Sequence, residues 1–271
     1  MLNTEMRNPK SKYIDRMDTI SMLELINEEN LNAVKAVEKA IPQIAKAVEI
    51  ITEFLGKGGR LFFIGAGTSG RLGIMDAAEC PSTYGVSRET VKGIIAGGND
   101  SVFVASESAE DNTLSGKQDI IDNGVKKGDV LVGISVAGGA KYVVGALDYA
   151  RSIGAYTIAL TCNENTLVEK SSDLCIVTDT GAEVVTGSTR MKGGTAHKIV
   201  LNMLTTAAMI KSGKVYENMM INLKPSNDKL RNRMIGIVCE ILSVTKEKSE
   251  SILEECDWNI RTVVDKYEGE I

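Results

Sequence analysis

The chain contains one histidine and one tryptophan, and only 4% of its residues are aromatic. Each shortage excludes something. With a single histidine, and with no C-x-x-C pair among Cys80, Cys162, Cys175, Cys239 and Cys256, no zinc pattern can be drawn. Scarce aromatics argue against a base-stacking platform. The formal net charge is −5, so no global basic field recruits nucleic acid or anionic lipid. No run of about 18 apolar residues appears, and the first eighteen residues, MLNTEMRNPKSKYIDRMD, carry no apolar signal core. An odd number of cysteines without framework spacing fits a reducing compartment. The expectation is a soluble cytoplasmic protein with no metal site and no nucleic-acid or membrane partner.

What is present is ordinary in bulk and specific in detail. Hydrophobic residues make up 43% and charged residues 25% of 271, enough for one large domain and a small one. Residues 60–81, RLFFIGAGTSGRLGIMDAAECP, read as strand, glycine-rich turn and helix. Backbone N–H groups at such a helix start, with the helix dipole behind them, make an anion cradle. Gly67, Thr68 and Ser69 are its candidate phosphate ligands, the last two adding hydroxyls. Glu79 lies near the far end of the same helix.

Further alternation follows. VKGIIA (91–96), DVLVGI (129–134), 156–161 and 174–178 read as strands, and 114–126 and 141–153 as helices. Strands alternating with helices mean β-α-β units and a mainly parallel sheet. Apolar runs without polar alternation place that sheet between two helical layers. The expected fold is therefore α/β, a three-layer αβα sandwich with a five-stranded sheet, and ligands bind beyond the carboxyl ends of such strands. Before it, residues 1–18 read as a polar, extended arm, and 20–55 carry a helical apolar stripe in which Pro42 either kinks the helix or starts another. After it, a helix is expected over 195–211, with free N–H groups following Gly193-Gly194. Pro225-Ser226-Asn227-Asp228 then leads into three short helices with Trp258, Ile252, Leu253, Val263 and Val264 as a small core. The expected domains are 1–55, 56–224 and 225–271.

Two carboxylates stand out by position, Glu79 and Glu110. A pair of acids can divide acid and base roles if their surroundings separate them. Glu107, Asp111 and Glu164 compete for the same assignment. His197 reads better as structural than as a ligand, and Ser135 has no placed histidine to activate it as a nucleophile. The glycines at 65, 67 and 70 match a dinucleotide-binding spacing, but no acidic residue ends the second strand to hold a ribose.

Several long motifs carry a resemblance. TEMRNP (4–9), IGAGTSGRLGIMDAAECP (64–81), GIIAGG (93–98), SAEDN (108–112), TGSTRMKGGTAHK (186–198), LNMLTTAAM and GKVYENMM occur in order over nearly the whole chain. The sequence resembles the N-acetylmuramic acid 6-phosphate etherases, of the sugar isomerase (SIS) fold. The resemblance implies elimination and hydration at a lactyl ether of a sugar phosphate, with no metal or redox cofactor. It implies Glu79 as the acid and Glu110 as the base at C2. Gly67, Thr68, Ser69, Ser135, Gly138, Thr189 and Lys192 then bind the substrate and its phosphate. It also implies a homodimer whose sites draw on both subunits.

One loop departs from the family. After the third strand these proteins read like S-A-S-G, then Arg or Asn, then Thr; here the run is Ser135-Val136-Ala137-Gly138-Gly139-Ala140-Lys141. Two hydroxyl positions are alanine. Losing two neutral hydrogen bonds costs on the order of 1 kcal/mol each, which Lys141 can offset as a point charge. The departure keeps two alternatives open: a non-catalytic sugar-phosphate sensor like the glucokinase regulatory proteins, and an aldose–ketose isomerase.

Overall fold

The computed structural model describes residues 2–104 and 107–267, Glu107 for its backbone alone. Five parallel strands form the central sheet: β1 (Leu61–Gly65), β2 (Val91–Ile95), β3 (Val130–Ile134), β4 (Tyr156–Thr161) and β5 (Leu174–Val177). Their spatial order is β2-β1-β3-β4-β5. Every residue of β1 and β3 is buried, as unalternated apolar strands between helical layers must be. The order reverses between β1 and β3, and in open α/β sheets that reversal opens a crevice at the strand ends.

The helices of this part are α1 (Thr19–Gly56), α2 (Gly67–Tyr84), α3 (Thr113–Asp122), α4 (Lys141–Ser152), the single turn α5 (Leu167–Lys170) and α6 (Lys192–Lys211). Asp18 caps α1 by accepting from the N–H groups of Ile20 and Ser21. α1 runs unbroken through Pro42. A mid-helix proline removes one hydrogen bond and crowds the preceding turn, but Ala36, Ala40, Ile44, Ala47, Val48 and Ile51 keep one buried stripe across it. Continuous burial on both sides outweighs the local penalty.

The chain divides into two compact units, residues 1–78 with 89–208, and residues 79–88 with 209–271. The first holds the five-stranded sheet. In the second, a two-stranded hairpin, β6 (Val215–Tyr216) and β7 (Met219–Met220), accompanies α7 (Asp228–Leu242), α8 (Lys246–Glu255) and α9 (Ile260–Tyr267). Met234, Val238, Leu253, Ile260 and Val263 form its fully buried core, with half-buried Trp258 packed against it. The hairpin had no signal in the sequence reading, because strands of two residues carry no period. Among the described residues no helix is long and apolar enough to cross a membrane.

Candidate functional site

A cavity of about 480 Å³ opens where β1 and β3 end. The turn after β1 supplies Gly67, Thr68 and Ser69; the loop after β3 supplies Ser135, Ala137 and Ala140. Gly67 sits at φ +53°, in the left-handed region that a glycine enters without strain, and so allows α2 to start abruptly. The N–H groups of Ser69 and Gly70 return to the Ala66 carbonyl and close the turn.

The β3 loop is bolted down from behind. Ser135 Oγ accepts from the N–H of Gly138 at 3.1 Å and of Ala140 at 3.5 Å, which leaves its proton for a ligand. Gly138 is at φ +82°, and a Cβ there would lie 2.3 Å from the Thr166 side chain. Gly138 therefore shapes the loop rather than joining the cavity lining. Its carbonyl accepts from Val168 N–H, and the Val136 carbonyl from Cys162 N–H. Both alanines of the atypical loop face the cavity, so the missing hydroxyls are missing from its wall.

Glu110 lines the same cavity and is exposed. It sits in a 3-10 turn, Glu107–Asp111, immediately before Asn112, whose side chain caps α3 through Ser115 N–H. Upstream, Arg71 on α2 donates to the carbonyls of Ser101 and Val102, both at 2.7 Å. Asp111 also lines the cavity and lies 3.6 Å from Lys141 Nζ. Both side chains are exposed, so this pair holds Lys141 only weakly beside the cavity. Glu164 lines a separate cavity of about 260 Å³, with Asn163 and Asp179. The Glu107 side chain lies outside the described residues.

Thr189 and Arg190 form the facing wall, with Gly187 and Ser188. Here the structure corrects three expectations. The helix expected from Thr195 begins at Lys192. Its first N–H groups are not free: Glu183 Oε1 accepts from Gly193 at 2.9 Å and Oε2 from Lys192 at 3.3 Å. Lys192, expected at the substrate, lies outside the cavity lining. It is 2% exposed and its Nζ is 2.5 Å from Glu29 Oε2 on α1. A lysine in a buried position needs a carboxylate partner, and Glu29 is that partner. Burial alone would raise the Glu29 carboxyl, but Lys192, then Asn8 and Lys10, hold it below its usual value. Burial pushes the Glu183 carboxyl up, against the two N–H groups and Lys192.

His197 is fully buried, with Nε2 3.5 Å from Cys162 Sγ. Burial pushes its pKa down to about 4 and that of the Cys162 thiol up to about 11. Both are uncharged near neutral pH, and the histidine is a packing residue.

Glu79 lies on the exposed side of α2 and is not among the residues lining this cavity.

The SIS domain family matches residues 115–207, and the glucokinase regulatory protein N-terminal SIS domain matches residues 43–151. An N-acetylmuramic acid 6-phosphate etherase of Clostridioides difficile (strain 630) is 50% identical over 263 residues, 97% of this chain and 86% of that protein. One of Clostridium botulinum (strain Loch Maree / Type A3) is 48% identical over 270 residues, 100% of this chain and 89% of that protein. This chain belongs to the N-acetylmuramic acid 6-phosphate etherase family. Solved structures share its fold at lower identity. A phosphoheptose isomerase from Neisseria gonorrhoeae matches with a TM-score of 0.53 at 18% identity, covering 70% of this chain and 98% of that one. A phosphoheptose isomerase from Francisella tularensis matches with a TM-score of 0.52 at 17% identity, covering 71% and 98%.

In this etherase-family chain, the cavity residues Glu5, Ser188 and Arg190 stand in the sequence only as letters of the TEMRNP and TGSTRMKGGTAHK motifs, the second of which the family resemblance sets near the substrate. All three come from segments without periodicity, so only the motifs themselves could have pointed to them.

Proposed function

We propose that this protein is an N-acetylmuramic acid 6-phosphate etherase. It cleaves the ether between C3 of the sugar and D-lactate and yields N-acetylglucosamine 6-phosphate. The observation that carries this reading is one cavity in which Glu110 shares a wall system with an amide-and-hydroxyl cradle from the ends of β1 and β3. Membership of the etherase family over nearly the whole chain agrees with it.

In the open-chain sugar, the C1 aldehyde acidifies the C2 proton. Glu110 takes that proton, the C2–C3 double bond forms, and the C3–O bond breaks. Glu79 protonates the departing lactyl oxygen, which releases D-lactate. Glu79, now the base, then takes a proton from water as its oxygen adds to C3, and Glu110 returns a proton to C2. The phosphate rests on Gly67, Thr68, Ser69 and Ser135, where backbone and hydroxyl donors meet the start of α2. Thr189 and Arg190 close the other side.

Glu79 is not among the residues lining the cavity; in this reading it enters from a second copy of the chain, in a homodimer with shared sites. The exposed apolar stripe of α1, Ile20, Leu23, Leu31, Val34 and Ile41, suits a contact between copies. The reaction belongs to amino-sugar and peptidoglycan recycling in the cytoplasm.

Two observations favour a second reading. Ala137 and Ala140 remove hydroxyls from the cradle wall, and residues 43–151 match the glucokinase regulatory SIS domain. A sensor would bind sugar phosphate without turnover. Incubating the folded protein with N-acetylmuramic acid 6-phosphate separates the two: an etherase releases D-lactate, and a sensor releases none.

A further inference from the structure

The N-terminal arm is built as part of the cavity wall, and the reaction above makes no use of it. Its 3-10 turn, Asn3–Glu5, carries Thr4 at 1% exposure. Thr4 N–H donates to Asn163 Oδ1 at 3.4 Å, and Asn163 Nδ2 donates back to Thr4 Oγ1 at 3.0 Å. The same Nδ2 reaches the carbonyls of Val136 at 3.3 Å and Ala137 at 3.4 Å, both cavity residues. One asparagine thus sets the arm against the β3 loop. Upstream, Asn3 donates to Asp179 at 3.0 Å. Downstream, Asn8 donates to Glu29 at 2.8 Å and to the Ala182 carbonyl at 3.2 Å, and Ser11 to the Val184 carbonyl at 2.8 Å. Ordering a terminal segment costs conformational entropy, and these bonds offset it on both sides of residue 5.

Glu5 itself is treated differently from its neighbours. Its side chain lines the cavity, and among the described residues it has no hydrogen-bond or ion-pair partner. Opposite it stands Gly187, at φ +77°, where a Cβ would meet Glu5 Oε2 at an ordinary contact distance of 3.7 Å. The arm is fixed, and the carboxylate is left over in the cavity. A carboxylate repels phosphate and lactate and accepts hydrogen bonds from hydroxyl and amide donors.

We infer that Glu5 is a substrate-binding residue that accepts hydrogen bonds from hydroxyl or amide N–H groups of the sugar. This rests on the reading that the cavity takes an amino-sugar phosphate. Calorimetric binding of N-acetylglucosamine 6-phosphate tests it without requiring turnover. Glu5→Ala weakens binding by roughly 10- to 100-fold, the loss of a charged hydrogen bond. Glu5→Gln, which keeps one acceptor, falls between Ala and wild type. Melting temperatures of both variants match the wild type, because no internal partner is lost. In the D-lactate assay KM rises and kcat holds, as for an interaction equal in ground and transition states. Binding by Glu5→Ala within about twofold of wild type overturns the inference. If Glu5→Ala does not fold, the near-isosteric Glu5→Gln carries the comparison, and wild-type affinity in it overturns the inference equally. A wild type that binds this probe but releases no D-lactate removes the etherase reading alone, and the Glu5 comparison still decides. A wild type that binds no probe removes both.

Discussion

Glu110 and Glu79 occupy opposite situations, and the proposed roles use that difference. Glu110 stands in the cavity on a 3-10 turn that runs directly into Asn112, the cap of α3. Glu79 stands exposed, far along α2. If Glu110 is the C2 base, Glu79→Gln still exchanges the C2 hydrogen in deuterated water while releasing no D-lactate. Glu110→Gln loses both exchange and release. Proton NMR of the recovered sugar reads the exchange, and exchange surviving only in Glu110→Gln reverses the roles. At this scale the turn after β1 was legible, because Gly67, Thr68 and Ser69 lie in a turn whose chemistry is local, whereas Ser135 and Thr189 were reached only through the family resemblance. Lys192 was not legible as a buried cation: its partner Glu29 is 163 positions away and no local pattern links them.

At the scale of elements, strands β1 to β5 and helices α3, α4 and α7 to α9 follow the apolar periods closely. The differences arise where a long-range contact decides. The start of α6 moved to Lys192 because Glu183 caps it. The arm, read as polar and extended, is held by Thr4, Asn8 and Ser11, each buried. The joint between α1, the arm and α6 is the Asn8–Glu29–Lys192 cluster. Lys192→Met takes from the buried Glu29 the closer of its two cations, leaving exposed Lys10 at 3.5 Å, and costs up to about 3–5 kcal/mol of stability, readable by urea unfolding. Glu29→Gln combined with Lys192→Met recovers part of that loss, since no buried charge then lacks a partner. A single variant as stable as wild type would mean that water, not Lys192, solvates Glu29.

For the whole molecule, the parallel sheet was legible because unalternated apolar strands require helices on both faces. The strand order that opens the crevice between β1 and β3 is set by packing and was not. In the proposed mechanism the site draws Glu79 from a second copy of the chain. Mixing and refolding the two inactive variants, Glu79→Gln and Glu110→Gln, tests the shared site. In a mixed dimer one site then holds both intact acids, and activity returns to roughly a quarter of wild type by statistical pairing in a two-fold assembly. No recovery from a mixture shown to exchange subunits places both acids within one chain.

The most direct test of the function is D-lactate release from N-acetylmuramic acid 6-phosphate by the purified protein. An etherase yields D-lactate and N-acetylglucosamine 6-phosphate in equal amounts. No D-lactate from folded protein that binds sugar phosphate contradicts that function and leaves a sensor in its place.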